Sequence, residues 1–204
     1  MKIGAIFNPN AGRAKRYPGL ASELERVLAP QGPYLITRNL EEIPAAVEKI
    51  VSHGPDILAI CGGDGTLYHT LSPFFRLNGT QKIPLIAILK GGTTNTLLKS
   101  VGSSEKPVGF AKKLVEKIQG RRVFEIVEFD AMKVNEGYGF FTGAAMVAKI
   151  IAAYLKGGDV GTKKAVSLIF RCIGSALTGG SFGRELSTPV IAEGTVDGQP
   201  IPIK

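Results

Sequence analysis

An α/β fold is the expectation from three features of the sequence. Short apolar runs recur as candidate strands, and each runs straight into a loop of Gly, Asn, Asp or Thr. Segments with apolar residues at helical spacing separate those runs. After Arg122 the alternation gives way to longer extended stretches. Strand–helix alternation argues for a parallel sheet covered by helices, and the later change argues for an antiparallel second part. The expected architecture is an N-terminal parallel-sheet α/β domain over residues 1–122. An incomplete β-rich domain with one or two helices follows over 123–204, a partial antiparallel β-sandwich.

The first run, Lys2 to Phe7, reads as a strand that ends at Asn8-Pro9-Asn10-Ala11-Gly12-Arg13. A helix is expected near Leu20 to Leu28, a strand at Tyr34 to Ile36 closed by Thr37, and a helix over Glu41 to Ser52. The next apolar run, Ile57 to Cys61, leads into Gly62-Gly63-Asp64-Gly65-Thr66. Leu67, Leu71, Phe74 and Phe75 then recur at roughly helical spacing, which predicts a helix from Thr66. Pro84 to Leu89 is a further buried strand and ends in Lys90-Gly91-Gly92-Thr93-Thr94-Asn95-Thr96. Phe110, Leu114 and Ile118 beside Lys112, Lys113, Glu116 and Lys117 form an amphipathic helix begun near Pro107 and ended at Gly120.

Extended runs Val123 to Val134 and Tyr138 to Thr142, joined by Asn135-Glu136-Gly137, predict a hairpin. Ala144 to Leu155 is an apolar helical stretch closed by Gly157-Gly158, and Ala165 to Leu177 is another. Asp159 to Lys164 and Thr178 to Gly183 read as links, and Asp197-Gly198 as a hairpin turn. A sandwich without its later strands shows unpaired edges and apolar faces, so such a chain is expected to aggregate or to need a partner.

The chemistry points to the strand-end loops. Glycine lets backbone lie directly against a ligand, and the start of a helix favours an anion. Gly62, Gly63 and Gly65 around Asp64 fit a nucleotide phosphate, with Mg²⁺ bridging it to the carboxylate. The same residues also fit a plain strand-to-helix turn in which Asp64 caps the helix. In an open α/β sheet, ligands lie outside the carboxyl ends of the strands, so the three loops are expected to line one crevice. No G-x-x-x-x-G-K-[ST] or G-x-G-x-x-G run occurs, which excludes the P-loop and the dinucleotide fingerprint.

Asn8-Pro9 with Gly12, Gly62-Gly63-Asp64-Gly65-Thr66, and Gly92-Thr93-Thr94-Asn95 followed by Leu97-Leu98 and Val101-Gly102 resemble the diacylglycerol kinase catalytic family. These lipid kinases include the sphingosine kinases and are related to the NAD kinases. A weaker likeness continues through Phe129-Asp130 to Gly143. The resemblance implies a nucleotide-binding domain followed by a β-sandwich, ATP and Mg²⁺ as cofactors, and phosphorylation of diacylglycerol or a related lipid alcohol. It implies an ATP site of Asn8, Pro9, Asn10, Ala11, Gly12, Thr37, Gly62, Gly63, Asp64, Gly65, Thr66, Leu67, Tyr68 and Thr93. Asp64 would organise phosphate and metal. An NAD kinase-like enzyme shares the Gly-Gly-Asp-Gly-Thr loop, although Gly92 to Asn95 points to the lipid branch. A truncated, non-catalytic nucleotide-binding module is the remaining alternative.

The sequence departs from the family at Tyr68-His69, where Asn-Glu is usual, and at Lys90 and Thr96, where Pro and Asp are usual. His69 reads as a helix-face residue, and Lys90 as either a phosphate donor or a solvated strand end. The family's later Asp-Gly-Leu stretch and its acidic general base have no counterpart in these residues.

A chain of 204 residues with 44% hydrophobic and 21% charged residues allows a substantial core in one domain or two small ones. Two cysteines and two histidines make a structural zinc site improbable and fit a reducing cytosol. No signal peptide is recognised, and Ala165 to Leu177, interrupted by Arg171, is shorter than the ~20 residues that cross a bilayer. The net charge of +8 favours anionic partners. With the resemblance, this predicts a cytoplasmic protein peripheral at the inner membrane surface, contacting anionic lipid. The expected partners are a nucleotide, a lipid alcohol and, as a candidate, a second copy of the chain; without a recognisable motif, nucleic acid is not expected.

Overall fold

The computed structural model describes all residues except 80–82, 94, 101, 103–104, 142, 144, 158–160, 190–193, 197–198 and 202–204. Thr94, Val101, Asp197-Gly198 and part of the link from Asp159 to Lys164 therefore lie outside the described residues. The chain divides into two compact units, Met1–Phe141 and Thr142–Lys204.

In the first unit, β1 (Ile3–Phe7), β2 (Tyr34–Ile36), β3 (Ile57–Gly62) and β4 (Leu85–Lys90) form one parallel sheet in the order β2-β1-β3-β4. Helices α1 (Leu20–Leu28), α2 (Glu42–His53), α3 (Asp64–Asn78), α4 (Thr96–Ser100) and α5 (Pro107–Gln119) accompany it. Strands buried on both faces read as continuous apolar runs, which is why β1 and β3 stand out in the sequence. Their side chains alternate between two cores. Ile3, Ala5 and Phe7 with Ile57, Ala59 and Cys61 join Leu20, Leu24 and Leu28 of α1 and Ala111 and Leu114 of α5. Ile6, Leu58 and Ile60 join Val47 and Ile50 of α2 and Leu67, Leu71 and Phe74 of α3. Each fully buried Leu or Ile contributes about 1.5–3 kcal/mol, so the two layers hold the sheet from both sides.

Local signals set the element ends. Just ahead of α2, Asn39 Oδ1 accepts the Glu42 amide at 2.9 Å and Glu42 Oε2 accepts the Arg38 amide at 2.8 Å, which ties the incoming loop to the first turn. Gly54, at φ 61, ends it in the left-handed conformation that glycine adopts freely. The helix after β3 begins at Asp64 rather than Thr66, because Gly63 is already the extended cap and the Thr66 hydroxyl lies 3.4 Å from its amide.

The stretch Val123 to Val134 is not one long strand. Only β5 (Met132–Val134) and β6 (Gly137–Gly139) pair, antiparallel, around Asn135 at φ 53. Val123 is 90% exposed, so the residues leading into β5 lack the packing that a strand needs. The hairpin docks on α3: the Tyr138 amide donates to Ser72 Oγ at 2.9 Å, and the Tyr138 ring lies 5.0 Å from that of Phe75. This anchoring carries the hairpin with the first compact unit, which runs to Phe141. Ser72→Ala is expected to cost about 1 kcal/mol and to raise amide exchange in β5 and β6 before the rest of the unit, as hydrogen exchange would show.

The second unit contains α6 (Met146–Leu155), α7 (Thr162–Thr178) and α8 (Ser181–Ser187), with a short antiparallel pair, β7 (Gly194–Val196) and β8 (Gln199–Ile201). Thr178 to Gly183 is therefore a tight corner and a helix start, with Gly179 at φ 65 and the Ser175 hydroxyl accepting the Gly183 amide at 2.6 Å. Among the described residues the antiparallel pairing comprises these two ribbons. Val166, Ile169, Phe170, Ile173 and Leu177 lie exposed along α7. Among the described residues no single helix is long and apolar enough to cross a membrane.

Cys61 is buried in β3, and desolvation pushes its thiol up to about 12. Cys172 on α7 is partly accessible. A thiol reagent at pH 8 should therefore label Cys172 first and Cys61 only on unfolding; two equally fast thiols would contradict the burial of β3.

Candidate active site

The strand order sends the chain from β1 to β2 on one side and back to β3 on the other. The loops after β1 and β3 thus flank a topological switch point, where open sheets bind ligands. Backbone contacts tie them to the loop after β4. The Asn8 amide donates to the Cys61 carbonyl at 2.9 Å, and the Arg13 amide to the Gly91 carbonyl at 2.8 Å. The Gly92 amide lies 2.7 Å from the Gly62 carbonyl. A Cβ on Gly12 would strike the Thr93 hydroxyl, which would have to turn aside, and one on Gly92 would strike the Gly63 Cα, so the second and third loops approach this closely only with glycine at 92.

These loops gather into one crevice of about 440 Å³. Of the sequence-predicted residues, Asn8, Ala11, Gly12, Gly63, Asp64, Gly65, Thr66 and Thr93 line it. Pro9, Asn10, Thr37, Gly62, Leu67 and Tyr68 do not. Asn10 donates to the Arg38 carbonyl at 2.5 Å, and Thr37 is buried with its amide bonded to the Phe7 carbonyl. Gly62 supports from behind, where a Cβ would collide with Thr66. Leu67 packs in the core beneath α3, and Tyr68 faces a neighbouring cleft.

Asn8 is the joint between the first two loops. Its Nδ2 donates to Thr66 Oγ1 at 2.9 Å, and its Oδ1 accepts the Asn10 amide at 2.8 Å. Asn95, left-handed at φ 47, clamps the third loop by accepting the Gly92 amide at 3.1 Å and donating to the Gly92 carbonyl at 2.6 Å.

Asp64 stands at the first position of α3, where a carboxylate is favoured by the helix dipole. Its Oδ2 accepts both the amide and the hydroxyl of Thr96, at 3.0 and 3.1 Å. Its Oδ1 is buried and has no hydrogen-bond partner among the described residues. A buried carboxylate oxygen without a donor is costly unless a cation or water meets it. Among the described residues no cluster of three His, Cys, Asp or Glu could hold a metal alone. The donor set therefore fits a cation that takes one carboxylate oxygen and completes its shell with phosphate oxygens and water, the habit of Mg²⁺. The amides of Asp64, Gly65 and Thr66, in the first turn of α3, precede any intrahelical acceptor and suit the same anion.

Several contributors escaped the sequence reading. Leu40 and Ile43 supply an apolar wall from the start of α2, with no polar pattern to mark them. Thr96 was visible only as a departure from the family, and its two donors now account for that position. His69 also lines the crevice, and desolvation holds its imidazole below the ordinary value. Lys90 ends β4 in register with Gly62.

A glycine-lined, carboxylate-bearing crevice at the switch point of a parallel sheet defines the class, a kinase-type α/β domain. The chain belongs to the diacylglycerol kinase catalytic domain family, whose model matches residues 2–126. It is similar in structure to a diacylglycerol kinase from Bacillus anthracis str. Sterne, with 24% identity, a TM-score of 0.49, and coverage of 67% of this chain and 45% of that one. It is also similar to a protein described as a "putative diacylglycerol kinase" from the same organism, at 25% identity and a TM-score of 0.44, covering 57% of this chain and 41% of the other. The chain thus spans less than half the length of these relatives. The comparison with curated proteins gave no match.

Proposed function

We propose that this chain serves an ATP- and Mg²⁺-dependent lipid kinase, which moves the γ-phosphoryl group of ATP to a hydroxyl of diacylglycerol or a related lipid alcohol. The observation that carries this reading is the divided Asp64 carboxylate, one oxygen fixed by Thr96 and the other buried, unpartnered and available to a cation. Asp64 would hold the Mg²⁺, which would supply charge neutralisation, the service on which phosphoryl transfer most depends. The protein's own part is positioning. Gly12, Gly63 and Gly65 allow close approach of phosphate, Thr66 and Thr93 offer hydroxyls, and Asn8 holds Thr66 in place. Leu40 and Ile43 give an apolar surface for the nucleotide base.

The acceptor is proposed to be a membrane lipid. The +8 charge favours an anionic bilayer, each Lys or Arg near such a surface contributing about 1 kcal/mol. The exposed apolar residues of α7 add surface that a bilayer can cover. A cytoplasmic protein docked peripherally at the inner membrane surface follows from this reading.

Calorimetry with Mg-ATP, followed by a panel of lipid alcohols and NAD offered with γ-labelled ATP, tests the proposal. Mg-dependent nucleotide binding and label in a lipid support it. Label in NAD alone would make the chain an NAD kinase relative, and binding without any transfer would make it a non-catalytic module.

A further inference from the structure

A second cleft of about 430 Å³ adjoins the first, framed by α2, α3 and the β5–β6 hairpin. Leu40, Ile43 and His69 belong to the walls of both, so the two cavities meet along a common seam. The second cleft is apolar at Pro44, Pro73 and Val134 and charged at Arg76 and Glu136, a combination suited to an amphiphile rather than to a second nucleotide. Among the described residues, the titratable groups lining the first cleft are Asp64 and His69, and those lining the second are Tyr68, His69, Arg76 and Glu136. His69 alone is common to both.

We propose that the second cleft receives the acceptor, a primary alcohol with an apolar tail, and that His69 takes its hydroxyl proton during transfer. This rests on the kinase reading above. The step balances without a further reactant: the alcohol oxygen bonds to the terminal phosphorus of the nucleoside triphosphate, and the bond from that phosphorus to its bridging oxygen breaks. The electron pair leaves with the nucleoside diphosphate, and the hydroxyl proton passes to a ring nitrogen of His69.

Three features of the chain support this role. Desolvation lowers the imidazole's affinity for a proton, which favours its neutral, proton-accepting form. The charged and titratable neighbours are Asp64, Tyr68 and Arg76 on α3 and Glu136 in the hairpin, while the α2 side contributes only Leu40, Ile43 and Pro44 to the wall. The Tyr68 ring meets the imidazole edge-on at 5.0 Å, and Tyr68 is in turn fitted against Gly137, where a Cβ would collide with it.

The test is an NMR titration of the imidazole signals with 1,2-dihexanoylglycerol in the absence of nucleotide, alongside calorimetry with Mg-ATP. The His69 signals are expected to shift saturably, and Val134→Arg, at a half-exposed position of the second cleft, to weaken that binding by about tenfold or more while Mg-ATP affinity stays within about twofold. His69→Gln is expected to lower kcat on the order of 100-fold with little change in the KM for ATP, and to remove the acidic limb of the pH–rate profile. Unmoved His69 signals in protein that binds Mg-ATP, or wild-type turnover in His69→Gln, overturn the inference and leave the kinase reading intact. Failure to bind Mg-ATP strikes the kinase reading itself, and the proton-transfer role falls with it.

Discussion

Asp64→Asn is expected to abolish phosphoryl transfer while the fold stands. The amide oxygen of Asn can replace Oδ2 and accept both donors of Thr96, so the link from α3 to α4 survives. The NH₂ group then takes the place of Oδ1, the buried oxygen without a partner among the described residues, and presents hydrogens where the proposed cation would bind. Loss of the proposed metal contact would remove several kcal/mol of transition-state stabilisation, on the order of a thousandfold in kcat/KM. Thermal melting should shift by no more than about 1 kcal/mol equivalent, since one neutral acceptor replaces one charged one. Turnover equal to wild type would refute the metal-organising role.

Gly92→Ala is the second large effect. The added methyl would lie inside contact distance of the Gly63 Cα, with Asn95 Oδ1 3.0 Å and the Gly63 amide nitrogen 3.1 Å away. The obstacle is backbone, which cannot swing aside as a side chain does. Either the third loop withdraws from the second, losing the bond from the Gly92 amide to the Gly62 carbonyl, or the start of α3 tilts. Overpacking of this kind costs about 1–3 kcal/mol. Because both escapes deform the crevice itself, Mg-ATP affinity should fall about 10- to 100-fold, measured by calorimetry on protein whose far-UV spectrum is unchanged. Retention of full affinity would show that the contact between the second and third loops does not shape the nucleotide site.

Much of this organisation is legible in the sequence for physical reasons. Strands covered on both faces must be apolar throughout, so β1 and β3 announce themselves, and the glycines at their ends mark where backbone meets backbone or ligand. The region after α5 is less legible because β-branched residues from Val123 onward suggest a strand whose pairing partners are absent among the described residues, and exposure prevails. At the crevice, residues whose own chemistry is distinctive, Asp64 and Asn8, stand out in the sequence and line the wall. Residues that act through position were missed: Thr96 reaches Asp64 from 32 positions away, and Leu40 enters the crevice as an ordinary apolar side chain. Nor does every neighbour along the chain face the crevice. Leu67 and Tyr68 follow Thr66 directly, yet the helical twist turns one into the core and the other toward the adjoining cleft.

The bond from Asp64 to Thr96 has a practical corollary for protein engineering. The five residues from Gly62 to Thr66 are not a portable cassette, because on a foreign sheet their carboxylate would swing freely without the short helix that steadies it. The smallest piece that could be transplanted with its aim intact runs from β3 through Ser100 and must bring an asparagine equivalent to Asn8 to hold the threonine.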